Sequence, residues 1–211
     1  MLAHEPRWPV LLALISCGGL NLLLPDSISA GPGWVVVALA ATLGVGSMMT
    51  ADHNGKLHLF FAYGTQSVVT IALGAAVASL LHDILTRQGK AQDLLQSAVA
   101  IWFMNILVFA TWYWRLDAGG PSRRRRHHSY REGAFLFPQA TLSKEIKENL
   151  NIGNWHPQFM DYLFVSFTAS TAFSPTDCPV LSRWAKVLMM LQSLIALASV
   201  ALVAARAVNI L

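Results

Sequence analysis

Charge is scarce in this chain: Asp, Glu, Lys and Arg make up 12% of its 211 residues, while 55% are hydrophobic. An ordinary soluble domain carries about 25% charged residues, so the usual water-facing surface cannot be built from this composition. Cysteine is nearly missing too. Cys17 lies in an apolar run and Cys178 in a turn; such a pair makes neither a disulfide framework nor a metal-ligand spacing, and free thiols are expected. The chain has no G-x-S-x-G elbow, no H-E-x-x-H pair, no Walker loop and no pair of membrane carboxylates at helical spacing. The chemistries those motifs serve therefore lack their residues, and neither an enzyme nor a cofactor is expected. An interfacial lipid-modifying activity through His127 or His128 is the weaker alternative.

Long hydrophobic runs fill the space that charge leaves. They fall at about 9–24, 34–50, 57–81, 94–114, 158–174 and 184–210, with one polar basic loop at 115–157, and a bilayer core of about 30 Å takes roughly 20 apolar residues per helix. The expected fold is all-α: a single integral membrane helical bundle of about six hydrophobic segments, one of them short or re-entrant. Small residues near Ser27 to Ala30 raise the alternative of a cleaved signal. One basic residue before the run and Ile28 beside the site argue for a short first crossing instead. Ala72, Gly74, Ala75, Ala76 and Ala78 give spacings that let helices approach closely. Trp112-Tyr113-Trp114-Arg115 ends the fourth run with an aromatic belt and a basic anchor. Asp52, His53 and His58 flank a turn without a recognised metal spacing, and read as a solvated loop.

Basic residues decide the expected sidedness. Of the fifteen Lys and Arg, eight lie in one loop: Arg115, Arg123, Arg124, Arg125, Arg126, Arg131, Lys144 and Lys147. The positive-inside rule puts that loop in the cytoplasm. Crossing of 158–174 then gives six crossings with both ends inside, and Arg206 snorkels to the cytoplasmic headgroups; a dip and return would put the C-terminus outside. On the six-crossing reading Asp161 and the Arg183 and Lys186 side chains lie at opposite faces. Lys144 and Glu148 at i,i+4 mark a short surface helix in the loop. Arg123, Arg124, Arg125 and Arg126 are candidates for binding anionic lipid, at about 1 kcal/mol per charge near the surface. Nucleic acid is not an expected partner, because Tyr130 alone is no stacking platform.

The stretch from Pro157 to Asp177 is the candidate site. It runs from aromatic residues into hydroxyls at Thr168, Ser170 and Thr171 and closes on Ser174-Pro175-Thr176-Asp177. The hydroxyls either glue helices together or line a hydrophilic path. Asp177 closes a plain turn or cap, or supplies one member of a carboxylate ring at a pore mouth. Gln66, Asn105 and Gln192 lie midway along three runs, where a carboxamide must face inward; glue and a substrate site are the two readings.

From Asp161 onward the chain resembles the pore region of tetrameric potassium channels: a short aromatic helix, a turn closing on Asp177 and a long inner helix. Where that family has Thr-Val-Gly-Tyr-Gly, this chain has Thr171-Ala172-Phe173-Ser174-Pro175-Thr176. With no glycine and a fixed proline φ, a carbonyl filter of that kind is excluded. A wider resemblance rests on Trp112-Tyr113-Trp114, Leu116 to Pro121, Phe135-Leu136-Phe137-Pro138-Gln139, the run SFTASTAFSPTD, and Ala204 to Leu211. In plan these are similar to the bacterial membrane proteins grouped as domain of unknown function 1345. That resemblance implies a bacterial inner-membrane protein and no activity. Two functions follow as expectations. The leading one is a channel-like or transporter-like homo-oligomer with a path lined by 168–177. The alternative is a non-transporting scaffold or accessory protein whose basic loop binds anionic lipid or a partner.

Overall fold

The computed structural model describes residues 8–25, 28–29, 31–50, 55–86, 90–124, 130, 133–153, 155–171 and 178–210. Among them the chain is helical, with no strand and a single isolated bridge between Phe135 and Val180. The helices are α1 (Trp8–Asn21), α2 (Gly33–Thr50), α3 (Gly55–Leu85), α4 (Ala91–Leu116), α5 (Pro121–Arg124), α6 (Pro138–Thr141), α7 (Lys144–Asn149), α8 (Phe159–Thr171) and α9 (Arg183–Ile210). Four described segments are long and apolar enough to cross a membrane: Gly33–Thr50, Gly55–Leu85, Gln92–Gly119 and Arg183–Ala205. The first run is shorter than 9–24, because Leu22 to Leu24 leave the helix in a turn.

Two compact units emerge. The described residues of Arg7–Val108 and Leu194–Leu211 form one, and those of Phe109–Ser193 the other. In the first unit α1 to α3 alternate in direction, held close by glycine. A Cβ on Gly18 would lie 2.8 Å from the Val37 Cα, and one on Gly44 would strike Leu11. Gly46 likewise lies against the Phe61 ring. These pairings run in opposite senses along successive helices, as short connections require. On α3 the small residues Ala62, Ala72 and Ala76 are buried, whereas a Cβ on Gly74 would meet open space. The close-approach face thus covers only part of the small-residue cluster. His58 on α3 places Nδ1 2.8 Å from the Ser47 carbonyl of α2.

The second unit is organised at the end of α4. A 3-10 turn at Asp117–Gly119 follows the helix, with Ala118 at φ 48° and Gly120 at φ 89°. The Gly120 amide donates to the Asp117 carbonyl, and the carbonyl of Gly120 accepts from Arg124. Residues 133–137 then run extended against the start of α9. Leu136 donates to the Pro179 carbonyl at 2.9 Å and Leu181 to the Ala134 carbonyl at 2.7 Å. Within the loop, α7 is capped by Ser143, which accepts from the Ile146 amide, and carries the Lys144 to Glu148 pair at 3.8 Å in the open.

Gly120 tolerates no side chain, because φ is positive and a Cβ would lie 2.9 Å from the Arg115 carbonyl oxygen. Gly120→Ala should destabilise the second unit by about 1–2 kcal/mol or more. A thermal midpoint in detergent equal to that of the unaltered chain would contradict this.

Candidate functional site

Aromatic rings gather where α4, the polar loop, α8 and α9 meet. Phe135 is central: its ring lies 5.0 Å from Tyr113 of α4, 6.0 Å from Tyr162 of α8 and 6.2 Å from Trp184 of α9. Phe137 packs on Tyr162, Tyr130 and Trp155. Under this layer sits Asp117, with no solvent exposure. Its Oδ2 accepts from the hydroxyls of Tyr130 and Tyr162 at 2.5 and 2.6 Å, and its Oδ1 accepts from the Ala134 amide. Three donors on one carboxylate are what a buried acidic side chain needs in place of water. Arg124 is its basic counterpart. One guanidinium nitrogen donates to the carbonyls of Trp114 and Asp117 at 2.7 and 2.8 Å, and the group lies over the Tyr162 ring at 5.1 Å.

Local sequence explains the convergence. The Gly119-Gly120 reversal folds α5 back on the last turn of α4 and carries Arg124 inward. Gly133 sits so near the Tyr130 hydroxyl that a Cβ would overlap it. Burial, and then the Asp117 carboxylate, raises the Tyr130 phenol above its ordinary range, so it remains a proton donor. The Cys178 thiol is pushed up to about 12, by burial first and by Asp117 and Asp161 next, and is a poor nucleophile at neutral pH.

From this floor α8 and α9 run in the same direction. Tyr162 and Trp184 share the Phe135 ring at the bottom. One to two turns further along, the Gln192 Nε2 donates to the Ser166 carbonyl and hydroxyl, each at 2.7 Å, and to the Ser170 hydroxyl at 2.8 Å. Its Oε1 accepts from the Tyr113 hydroxyl at 2.6 Å. Ser193 adds a bond to the Ala169 carbonyl. Both helices therefore leave one layer side by side, and the chain that ends α8 at Thr171 is back at that layer by Cys178 to Val180.

Comparison with protein-family models, with curated proteins and with solved structures gave no match. The site is thus read on its own chemistry.

Of the expected site residues, Ser170 and Gln192 come together as helix glue with no solvent exposure. Thr168 and Thr171 turn their hydroxyls to their own helix, onto the carbonyls of Phe164 and Phe167 at 3.0 Å each. Gln66 is buried in the other unit and donates to the Val108 carbonyl at 3.3 Å; Asn105 is buried there too. Arg123 is at the surface, as a lipid-binding cation requires. Arg124 is not: at 4% exposure it is walled in by Trp114 and Tyr162, because the glycine reversal aims it at the end of α4. Ser174, Thr176, Asp177, Arg125 and Arg126, and with them Asp52 and His53, lie outside the described residues. Asp161 caps the start of α8 by accepting from the Gln158 amide at 2.7 Å.

Sequence reasoning did not single out Asp117 among the residues of the polar loop. A signal was present: three of the four tyrosines, Tyr113, Tyr130 and Tyr162, belong to this unit, and a buried phenol needs an acceptor. The glue also makes a prediction. Gln192→Leu removes the acceptor of the Tyr113 hydroxyl and the amide bonds to Ser166 and Ser170 and should cost about 1–3 kcal/mol, whereas Thr168→Val should change stability by less than about 0.5 kcal/mol. Equal losses in detergent unfolding of the two variants would refute this assignment of roles.

Proposed function

We propose that the chain is a multi-pass protein of the bacterial inner membrane, of the plan implied by its resemblance to the domain of unknown function 1345 family. It works as a channel-like or transporter-like oligomer whose path runs past the C-terminal end of α8. Of six hydrophobic segments, α1, α2, α3, α4 and α9 cross and α8 re-enters. The supporting observation is the parallel pairing of α8 with α9 on one aromatic floor. A chain that crossed the membrane through α8 would begin α9 on the far side, yet Val180 is bridged to Phe135 beside Tyr162. With 13 residues α8 is about 20 Å long, nearly the length of α1, so length alone does not separate crossing from re-entry; a helix of that length that dips from one face ends within a hydrocarbon core of about 30 Å. Its last carbonyls then end at membrane depth, where non-helical backbone survives only against protein or a water-filled cavity. Interrupted helices of this kind form substrate and ion sites in many transporters.

On this proposal the chain crosses five times, where crossing by 158–174 would give six. The basic loop stays cytoplasmic by the positive-inside rule, and the C-terminal end of α9 lies outside. The scaffold reading has one observation in its favour: Ser166, Ser170 and Gln192 satisfy one another in a dry contact, as a purely structural helix pair would.

Two measurements separate these readings. Single cysteines at Ser129 and Asn209, in a chain with Cys17 and Cys178 replaced by Ser, are labelled with an impermeant reagent in intact cells and in inverted vesicles. Re-entry predicts labelling from opposite faces, Ser129 in inverted vesicles and Asn209 in intact cells; labelling from the same face means that α8 crosses. The second measurement is cysteine access at Thr168 and Thr171 in membranes. A path predicts reaction with a small charged thiol reagent and loss of ion or solute flux in proteoliposomes. Resistance at both positions would leave the scaffold as the function.

A further inference from the structure

Asp117 joins two parts of the chain through one carboxylate oxygen. Tyr130 comes from the polar loop and Tyr162 from the first turns of α8, and both hydroxyls meet the same oxygen, Oδ2, at 2.5 and 2.6 Å. The Tyr130 hydroxyl has a second acceptor within reach, the Phe135 carbonyl at 2.9 Å. One hydroxyl carries one proton, so Tyr130 can favour Asp117 or Phe135 with little movement of its ring. The choice matters to Tyr162. With the Tyr130 hydroxyl on Oδ2 the Asp117 side chain is held in the one orientation that also serves Tyr162, and without it the carboxylate is freer to turn, so the bond to α8 depends on where the loop puts Tyr130.

We infer that Asp117 is the hub through which the position of the polar loop sets the position of α8. This rests on the reading of α8 as the element beside the path, and gives that path a cytoplasmic control. A displacement of Tyr130 and residues 133–137 alters Asp117, and Asp117 alters the foot of α8, where the rings of Phe135 and Phe137 also pack on Tyr162, while the helix is tied to α9 further up at Gln192. Asp117 is a positioning residue here; nothing requires it to touch a solute. Gly133 belongs to the same device, since only its missing side chain lets the loop close on Tyr130.

Hydrogen exchange of the full chain in lipid nanodiscs tests this, with Tyr130→Phe, Tyr162→Phe and the double variant. The rings stay and only hydroxyls are lost. Tyr130→Phe should speed exchange of amides in 163–171 by about tenfold, with α2 and α3 unchanged. Tyr162→Phe should in return speed exchange in 133–137, because coupling between sites is reciprocal. The double variant should give less than the product of the two single effects. Release of 133–137 alone by Tyr130→Phe, or effects that multiply, would overturn the coupling. If Tyr130→Phe fails to fold, the reciprocal effect of Tyr162→Phe on 133–137 decides in the same way. Exchange that responds in a chain without flux keeps the coupling and removes the path; flux with unresponsive exchange does the reverse.

Discussion

A carboxylate without water must have donors, and Asp117 finds three of them within its own unit. That requirement shapes the surroundings more than any apolar contact does. To bring Tyr130 to Asp117 the loop must reverse at Gly119-Gly120, and to bring the Ala134 amide it must run extended past the end of α4. To bring Tyr162, α8 must begin there. An acidic side chain left without these partners would carry a desolvation cost of several kcal/mol. The same geometry places Arg124 over Tyr162, so two buried groups of opposite formal charge share one aromatic housing.

Once Tyr162 and Phe135 are fixed, the direction of the last two helices is no longer free. Phe135 also touches Trp184, and its backbone is bridged to Val180, so α9 starts at the level where α8 starts. Gln192 then meets Ser166 and Ser170 because both helices have climbed by comparable amounts, about 6–12 Å at 1.5 Å per residue. Polar pairing at the floor and polar pairing higher up specify one register between them. Either alone would leave α8 free to slide or to lean away from α9.

Much of the helical plan was legible in the sequence. Apolar length alone marks α2, α3, α4 and α9, because a run of that length with so little charge has few other solutions. Lys144 and Glu148 marked α7 in the same local way. What could not be read was long-range. The Phe135 to Val180 bridge joins residues 45 positions apart, and nothing in either stretch names the other. Basic residues were counted by loop to give sidedness, which is why Arg124 was grouped with its neighbours; the count cannot see that a glycine reversal turns one of them inward. Asp117 opens a polar segment and nothing local singles it out, while the tyrosines that hold it lie 13 and 45 residues away.

The hydroxyls of α8 show how direction overrides composition. Ser166, Thr168, Ser170 and Thr171 look alike in a list of polar residues, yet they have different work. Ser166 and Ser170, one turn apart, face α9 and hold Gln192. Thr168 and Thr171 face away and bond the preceding turn of their own helix, which hides a hydroxyl from lipid and can bend the helix. A bond from a hydroxyl to its own helix can be given up for a passing solute at small cost, because the carbonyl keeps its amide partner. The bonds at Gln192 have no such substitute. On the proposed reading a path beside α8 would use the face of Thr168 and Thr171, while Ser166 and Ser170 hold the opposite face to α9.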